Sequence, residues 1–87
     1  MRADIPRSAD ARVVLYGRAG CHLCATARET VATVCAEAGV DWLEVDIDSE
    51  PRLVAAFTDQ VPVTFVDGRQ HDFWRVDPGR LRAALAG

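Results

Sequence analysis

Val13-Val14-Leu15-Tyr16-Gly17-Arg18-Ala19-Gly20-Cys21-His22-Leu23-Cys24 is the stretch that decides the fold. Val13 to Tyr16 is a continuous apolar run rich in β-formers, which reads as a central strand buried on both faces. Gly17 to Gly20 form a small-residue turn, and the two cysteines follow at the mouth of a helix. There the first sulfur meets unpaired backbone N–H groups and the positive end of the helix dipole, which stabilise a thiolate. The second sulfur lies about one turn on, close enough to close a disulfide behind the first. Dithiol–disulfide chemistry needs that arrangement.

Working outward, Leu23, Ala27, Val31, Val34 and Ala38 recur at intervals of three and four, which predicts one apolar helix face over 22–38. Gly39 stands where a C-cap is expected. Val40 to Ile47 reads as a second strand. Asp48 or Ser49 is expected to cap a short helix with Pro51 in its first turn and Leu53, Val54 and Phe57 as its apolar side. Val61-Pro62 introduces a strand over 63–66, and Asp67-Gly68 signals a two-residue hairpin with a return strand over 69–76. Asp77-Pro78 reads as the start of a last helix that buries Leu81, Ala84 and Leu85. The order β-α-β-α-β-β-α predicts an α/β fold: a mixed four-stranded sheet with helices on its faces.

Eighty-seven residues leave room for one core, expected over 13–87, with residues 1–12 as a flexible arm. Hydrophobic content of 49% against 26% charged is globular composition. All ten basic residues are arginines, dispersed along a chain of net charge −3, so no basic run argues for nucleic acid. The first twelve residues have no apolar centre of the kind a signal peptide carries, and no stretch reaches membrane-spanning length. A cytoplasmic monomer is expected. In that reducing setting a CxxC pair is catalytic or metal-binding more often than structural.

With these elements the chain resembles the thioredoxin-like fold, and within it a divergent glutaredoxin-like protein. The resemblance rests on CxxC at a strand-to-helix junction, Val61-Pro62 before the third strand, and the element order, and it spans Val13 to Leu85. It implies Cys21 as nucleophile, Cys24 as the resolving thiol and Pro62 as a cis residue facing the active site. Arg18 stands where glutaredoxins often carry a basic residue. The departures are His22-Leu23 between the cysteines, Gln60 before Val61-Pro62, and His71 to Asp77 where the family places a glutathione-binding Gly-Gly pair.

The chemistry that follows is attack of the Cys21 thiolate on a disulfide, then displacement of the reduced product by Cys24. Substrates would be disulfide-containing proteins or small-thiol mixed disulfides. No tightly bound cofactor is expected; the electron donor would be a low-molecular-weight thiol or a reductase. Arg18 and His22 are candidates for contacting substrate or assisting the thiolate, against solvated loop and first-turn residues. Val61 and Pro62 would offer backbone groups to an extended substrate. Cys35, eleven positions beyond Cys24, is about 16 Å away along a helix, beyond disulfide reach, and reads as a small buried hydrophobe.

Phe73 and Trp74 alternate along the return strand, which predicts one in the core and one exposed. Glu44, Asp46, Asp48 and Glu50 read as a solvated strand edge. Two other functions fit a CxxC. One is a non-enzymatic metal or iron–sulfur domain, for which only Cys35, His22 and His71 remain as further ligands. The other is an interaction module on a redox fold with an inert Cys21.

Overall fold

The computed structural model describes residues 11–86. Its elements are β1 (Val13–Gly17), α1 (His22–Ala38), β2 (Trp42–Asp46), a 3-10 turn (Ile47–Ser49), α2 (Pro51–Phe57), β3 (Val63–Val66), β4 (Arg69–Phe73) and α3 (Pro78–Ala86). The sheet order is β2-β1-β3-β4. β1 and β2 are parallel, joined through α1, while β3 runs antiparallel to both β1 and β4. This is the mixed α/β sheet the sequence predicts.

Every residue of β1 is buried, as its unbroken apolar run requires. Val13 and Leu15 pack with Ala27, Val31, Val34 and Cys35 of α1, and with Leu81 and Leu85 of α3. Val14 and Tyr16 point the other way, onto Ile47, Leu53, Phe57 and Val63. Helices α1 and α3 therefore cover one face and α2 the other. Each fully buried aliphatic or aromatic side chain contributes about 1.5–3 kcal/mol. Tyr16, Phe57 and Phe65 form a ring cluster under α2, with centroids 5.0–5.9 Å apart.

The local signals work as read. Gly39 closes α1 at φ 68°. Asp67 and Gly68 both take positive φ, as a two-residue hairpin of this twist demands, and Val66 pairs with Arg69 across the turn. Asp77 Oδ1 accepts from the N–H groups of Gly79 and Arg80, capping α3.

Four expectations need correction. The buried stripe of α1 is Cys24, Ala27, Val31, Val34 and Cys35; Leu23 and Ala38, counted into it from spacing, are exposed. A 3.6-residue period drifts against a chain of threes and fours, so the stripe's ends fall one side over. The second strand covers 42–46, because the chain turns into the 3-10 helix at Ile47, capped by Asp46. Glu50, not Asp48 or Ser49, then stands at the N-cap of α2. The return strand stops at Phe73, since Trp74 leaves the strand at φ 66°.

Residues 1–10 of the expected arm lie outside the described residues. Ala11 is buried, and Arg12 bonds Asp67 through Nε and Nη2 (2.8 and 2.9 Å) and the Leu85 carbonyl (3.4 Å), so these two belong to the domain. None of the described helices is long and apolar enough to cross a membrane.

Candidate active site

The site grows from the end of β1. The strand must stop before α1 can start, and residues 18–20 make the change of direction, with Gly20 at φ 77°. Cys21 then takes extended backbone angles (φ −98°, ψ 116°) and becomes the N-cap of α1. N-cap oxygens usually accept from the first turn; here Cys21 Sγ does so, from the Cys24 N–H at 3.1 Å. A sulfur held there takes the partial positive charge of the helix start, which favours its anion.

Cys21 and Cys24 are joined as a disulfide with Cα atoms 5.2 Å apart, inside the ordinary range. Their surroundings differ. Cys21 is half-buried at the helix mouth, whereas Cys24 is 1% exposed and packs against Gly17. The first sulfur is thus the more accessible of the two.

The other predicted site residues are distributed around this pair. Val63 pairs with Tyr16, so Pro62 falls level with Gly17, at the end of the sheet where α1 opens. The Val61-Pro62 bond is cis, as the resemblance implied. Of Val61's backbone groups, the N–H is already spent on the Phe57 carbonyl at 3.1 Å. His22 is exposed in the first turn of α1 and Leu23 beside it. Gln60 accepts from Gln70 Nε2 at 3.0 Å.

Arg18 is committed within the chain. Its Nε and Nη2 bind both oxygens of Asp48 (3.2 and 2.6 Å), and Nη1 donates to Thr58 Oγ1 at 3.0 Å. The carboxylate it holds is the chain's own, and the contact ties the loop before Cys21 to the 3-10 turn and the end of α2. Hydrogen bonding to Arg18 lowers the Asp48 carboxyl below its ordinary value. Glu44, another of the acidic group, takes a bidentate pair from Arg28 of α1 (both 2.7 Å). Cys35 is free and buried, and burial pushes its thiol up, away from the thiolate. Among the described residues, no group of three or more His, Cys, Asp or Glu side chains converges to hold a metal ion.

Sequence reasoning placed Trp74 in an alternating strand pair and missed the bonds it makes. Its backbone N–H donates to the carbonyls of Pro62 (2.8 Å) and Gln60 (3.2 Å), and its indole N–H to that of Asp59 (3.0 Å). Neither it nor Phe73 enters the core: both are exposed and stack edge to face at 5.0 Å. The break in alternation at a left-handed residue explains this, since it ends the strand's period of two. An aromatic pair just before the Asp77-Pro78 stop was the available signal.

A CxxC disulfide capping the helix after the first strand, with a cis-proline at the head of the third, defines a glutaredoxin-like domain of the thioredoxin superfamily. The glutaredoxin-like domain family (DUF836) matches residues 12–86, and the chain belongs to it. It is similar to an uncharacterised protein of Mycobacterium tuberculosis, at 41% identity over 80 residues, covering 86% of this chain and 82% of that one. The crystal structure of the structural-genomics target XcR50 from X. campestris aligns with TM-score 0.71 at 37% identity, over 85% of this chain and 95% of that one. A glutaredoxin from Archaeoglobus fulgidus aligns with TM-score 0.60 over 99% of this chain and 98% of its own; at 18% identity that likeness is of fold.

Proposed function

We infer that the protein is a thiol–disulfide oxidoreductase that reduces disulfides through Cys21 and Cys24. The observation that carries the reading is the asymmetry of the pair: one sulfur half-buried on the helix N-cap, its partner sealed beneath it. In the reduced protein the Cys21 thiolate attacks one sulfur of a partner disulfide. That bond breaks, the far sulfur leaves as a thiolate, and a mixed disulfide forms on Cys21. Cys24, having given up its proton, attacks Cys21 Sγ. The second partner sulfur leaves, and the Cys21–Cys24 disulfide closes. Two electrons pass to the partner, whose two thiolates each take up a proton. A low-molecular-weight thiol or a dithiol reductase returns the electrons, and substrates are protein disulfides or small-thiol mixed disulfides.

Within this scheme Arg18 holds the loop that presents Cys21, through Asp48 and Thr58. Cis-Pro62 shapes the neighbouring end of the sheet.

The test is a Cys24→Ser protein incubated with a disulfide substrate and read by intact mass. It should stop as a covalent adduct on Cys21, which a Cys21→Ser protein does not form. No adduct, or an adduct mapped to Cys24, overturns the reading. Turnover of one disulfide with a panel of reductants then identifies the donor class.

A further inference from the structure

Leu23, Phe73 and Trp74 are the large hydrophobic side chains left exposed among the described residues, at 39, 48 and 53%. Leu23 is distant in sequence from the adjacent Phe73 and Trp74, yet all three line one groove of about 560 Å³. The groove runs from Leu23, between the two cysteines, to the segment joining β4 and α3. Solvent-facing apolar groups scattered singly need no explanation, but their convergence beside a reactive centre marks a contact surface.

The polar groups of the groove are already occupied. Thr26 and Thr30 of α1 turn their hydroxyls onto the carbonyls of His22 and Thr26 (3.4 and 3.3 Å). The three carbonyl contacts of Trp74 consume both its N–H groups. Asp72 is paired with Arg80 at 2.8 Å, and Asp77 caps α3. What remains is Arg75, exposed, on the groove wall and without an ion-pair partner among the described residues. The lining is thus apolar and aromatic, with two carboxylates, Asp72 and Asp77, already engaged within the chain, and one cation, Arg75, left without an ion pair among the described residues. Trp74 stands at φ 66°, a left-handed conformation unfavourable to a residue that bears a side chain. Strain of this kind persists where surrounding bonds enforce it, and it collects at binding sites.

We propose that this groove docks an extended polypeptide segment that places a large apolar side chain against Leu23, Phe73 and Trp74, and a neighbouring carboxylate on Arg75. The proposal rests on the oxidoreductase reading and names its substrate class: acidic–apolar segments flanking a target disulfide. A small peptide thiol with several charged ends fits poorly. The groove offers a single free set of donors, and each other charge would lose water without gaining a partner. Aromatic and arginine side chains are the ones that carry most binding energy at such contacts.

The experiment uses the oxidised full chain and heptapeptides with serine in place of cysteine, so that no redox step can occur. Backbone and indole amide NMR shifts report binding. A peptide with phenylalanine beside the serine and glutamate next to it should shift Leu23, Phe73, Arg75 and the Trp74 indole. Arg75→Glu should weaken its binding about tenfold, and a lysine-for-glutamate peptide should recover that loss on the same variant. Leu23→Ser, an exposed change, should weaken both peptides. Equal binding of all peptides to all variants overturns the proposal. So do shifts confined to another face, or concentration-dependent self-association across the groove without peptide. Glutathione disulfide perturbing the same resonances as strongly as the acidic peptide overturns the polypeptide assignment. An inert Cys21 would leave these results untouched, so failure of docking and failure of catalysis are separable.

Discussion

Gly17 and Cys24 are in contact across the end of β1: a Cβ added at Gly17 would stand 3.2 Å from Cys24 Sγ and 3.9 Å from a Glu44 carboxylate oxygen. The buried sulfur therefore sits where it does because residue 17 has no side chain. Gly17→Ala should displace Cys24 by a few tenths of an ångström. Overpacking of this kind costs about 1–3 kcal/mol. The expected result is a lower denaturation midpoint and slower closure of the Cys21–Cys24 disulfide, measured by stopped-flow reoxidation. Closure at the wild-type rate would show that the sulfur has room to move.

Cys35 should be chemically silent. With the reduced native protein at pH 7.5, iodoacetamide should label Cys21 first and leave Cys35 unmodified, while the unfolded chain should take label on all three cysteines. Cys35→Ser should cost about 1–3 kcal/mol by burying a hydroxyl among Val31, Val34 and Leu81. Reductase activity should not change.

Thr64 is fully buried on β3, and its hydroxyl has no hydrogen-bond partner among the described residues. Valine has the same shape without the polar atom. Thr64→Val should raise stability by about 1 kcal/mol in urea unfolding. A loss would mean the hydroxyl is satisfied in solution.

The Arg18–Asp48 pair should be visible in acid. The folded carboxyl is lowered by its bond to Arg18, so the pair's contribution is fully present above the unfolded aspartate value of about 3.9 and is lost as pH falls through the depressed folded value. The difference in urea midpoint between wild type and Asp48→Asn should be constant from pH 5 to 7 and close below about pH 4. High salt should narrow it at every pH, since both groups face water.

What the sequence disclosed divides by range. Gly39, Asp67-Gly68 and Asp77-Pro78 act on their own backbone, so their chemistry can be read in place. The run Val13 to Tyr16 declared a doubly covered strand for the same reason. The position of the dithiol at the mouth of its helix was legible too, whereas Cys21 acting as the cap itself was seen only in the structure. The isomer of Pro62 came through family likeness, since nothing in neighbouring residues dictates it. The partner of Arg18 stands thirty positions away at Asp48, and the acceptors of Trp74 lie at 59 to 62. Such pairings exist only once the sheet has brought its ends together. For that reason the full lining of the groove beside the cysteines could not be read from the chain, although each of its aromatic residues had been noticed.

The first turn of α1 has one sulfur serving two offices in the proposed chemistry, since the atom that caps the helix is also the more accessible of the pair. Fraying at His22 would strip Cys21 of its amides in the same motion. A molecule loosened at this end would present an ordinary, sluggish thiol to its surroundings. If the proposed chemistry holds, the scaffold thus disarms itself as it fails, and a partially melted copy is poorly equipped for indiscriminate exchange.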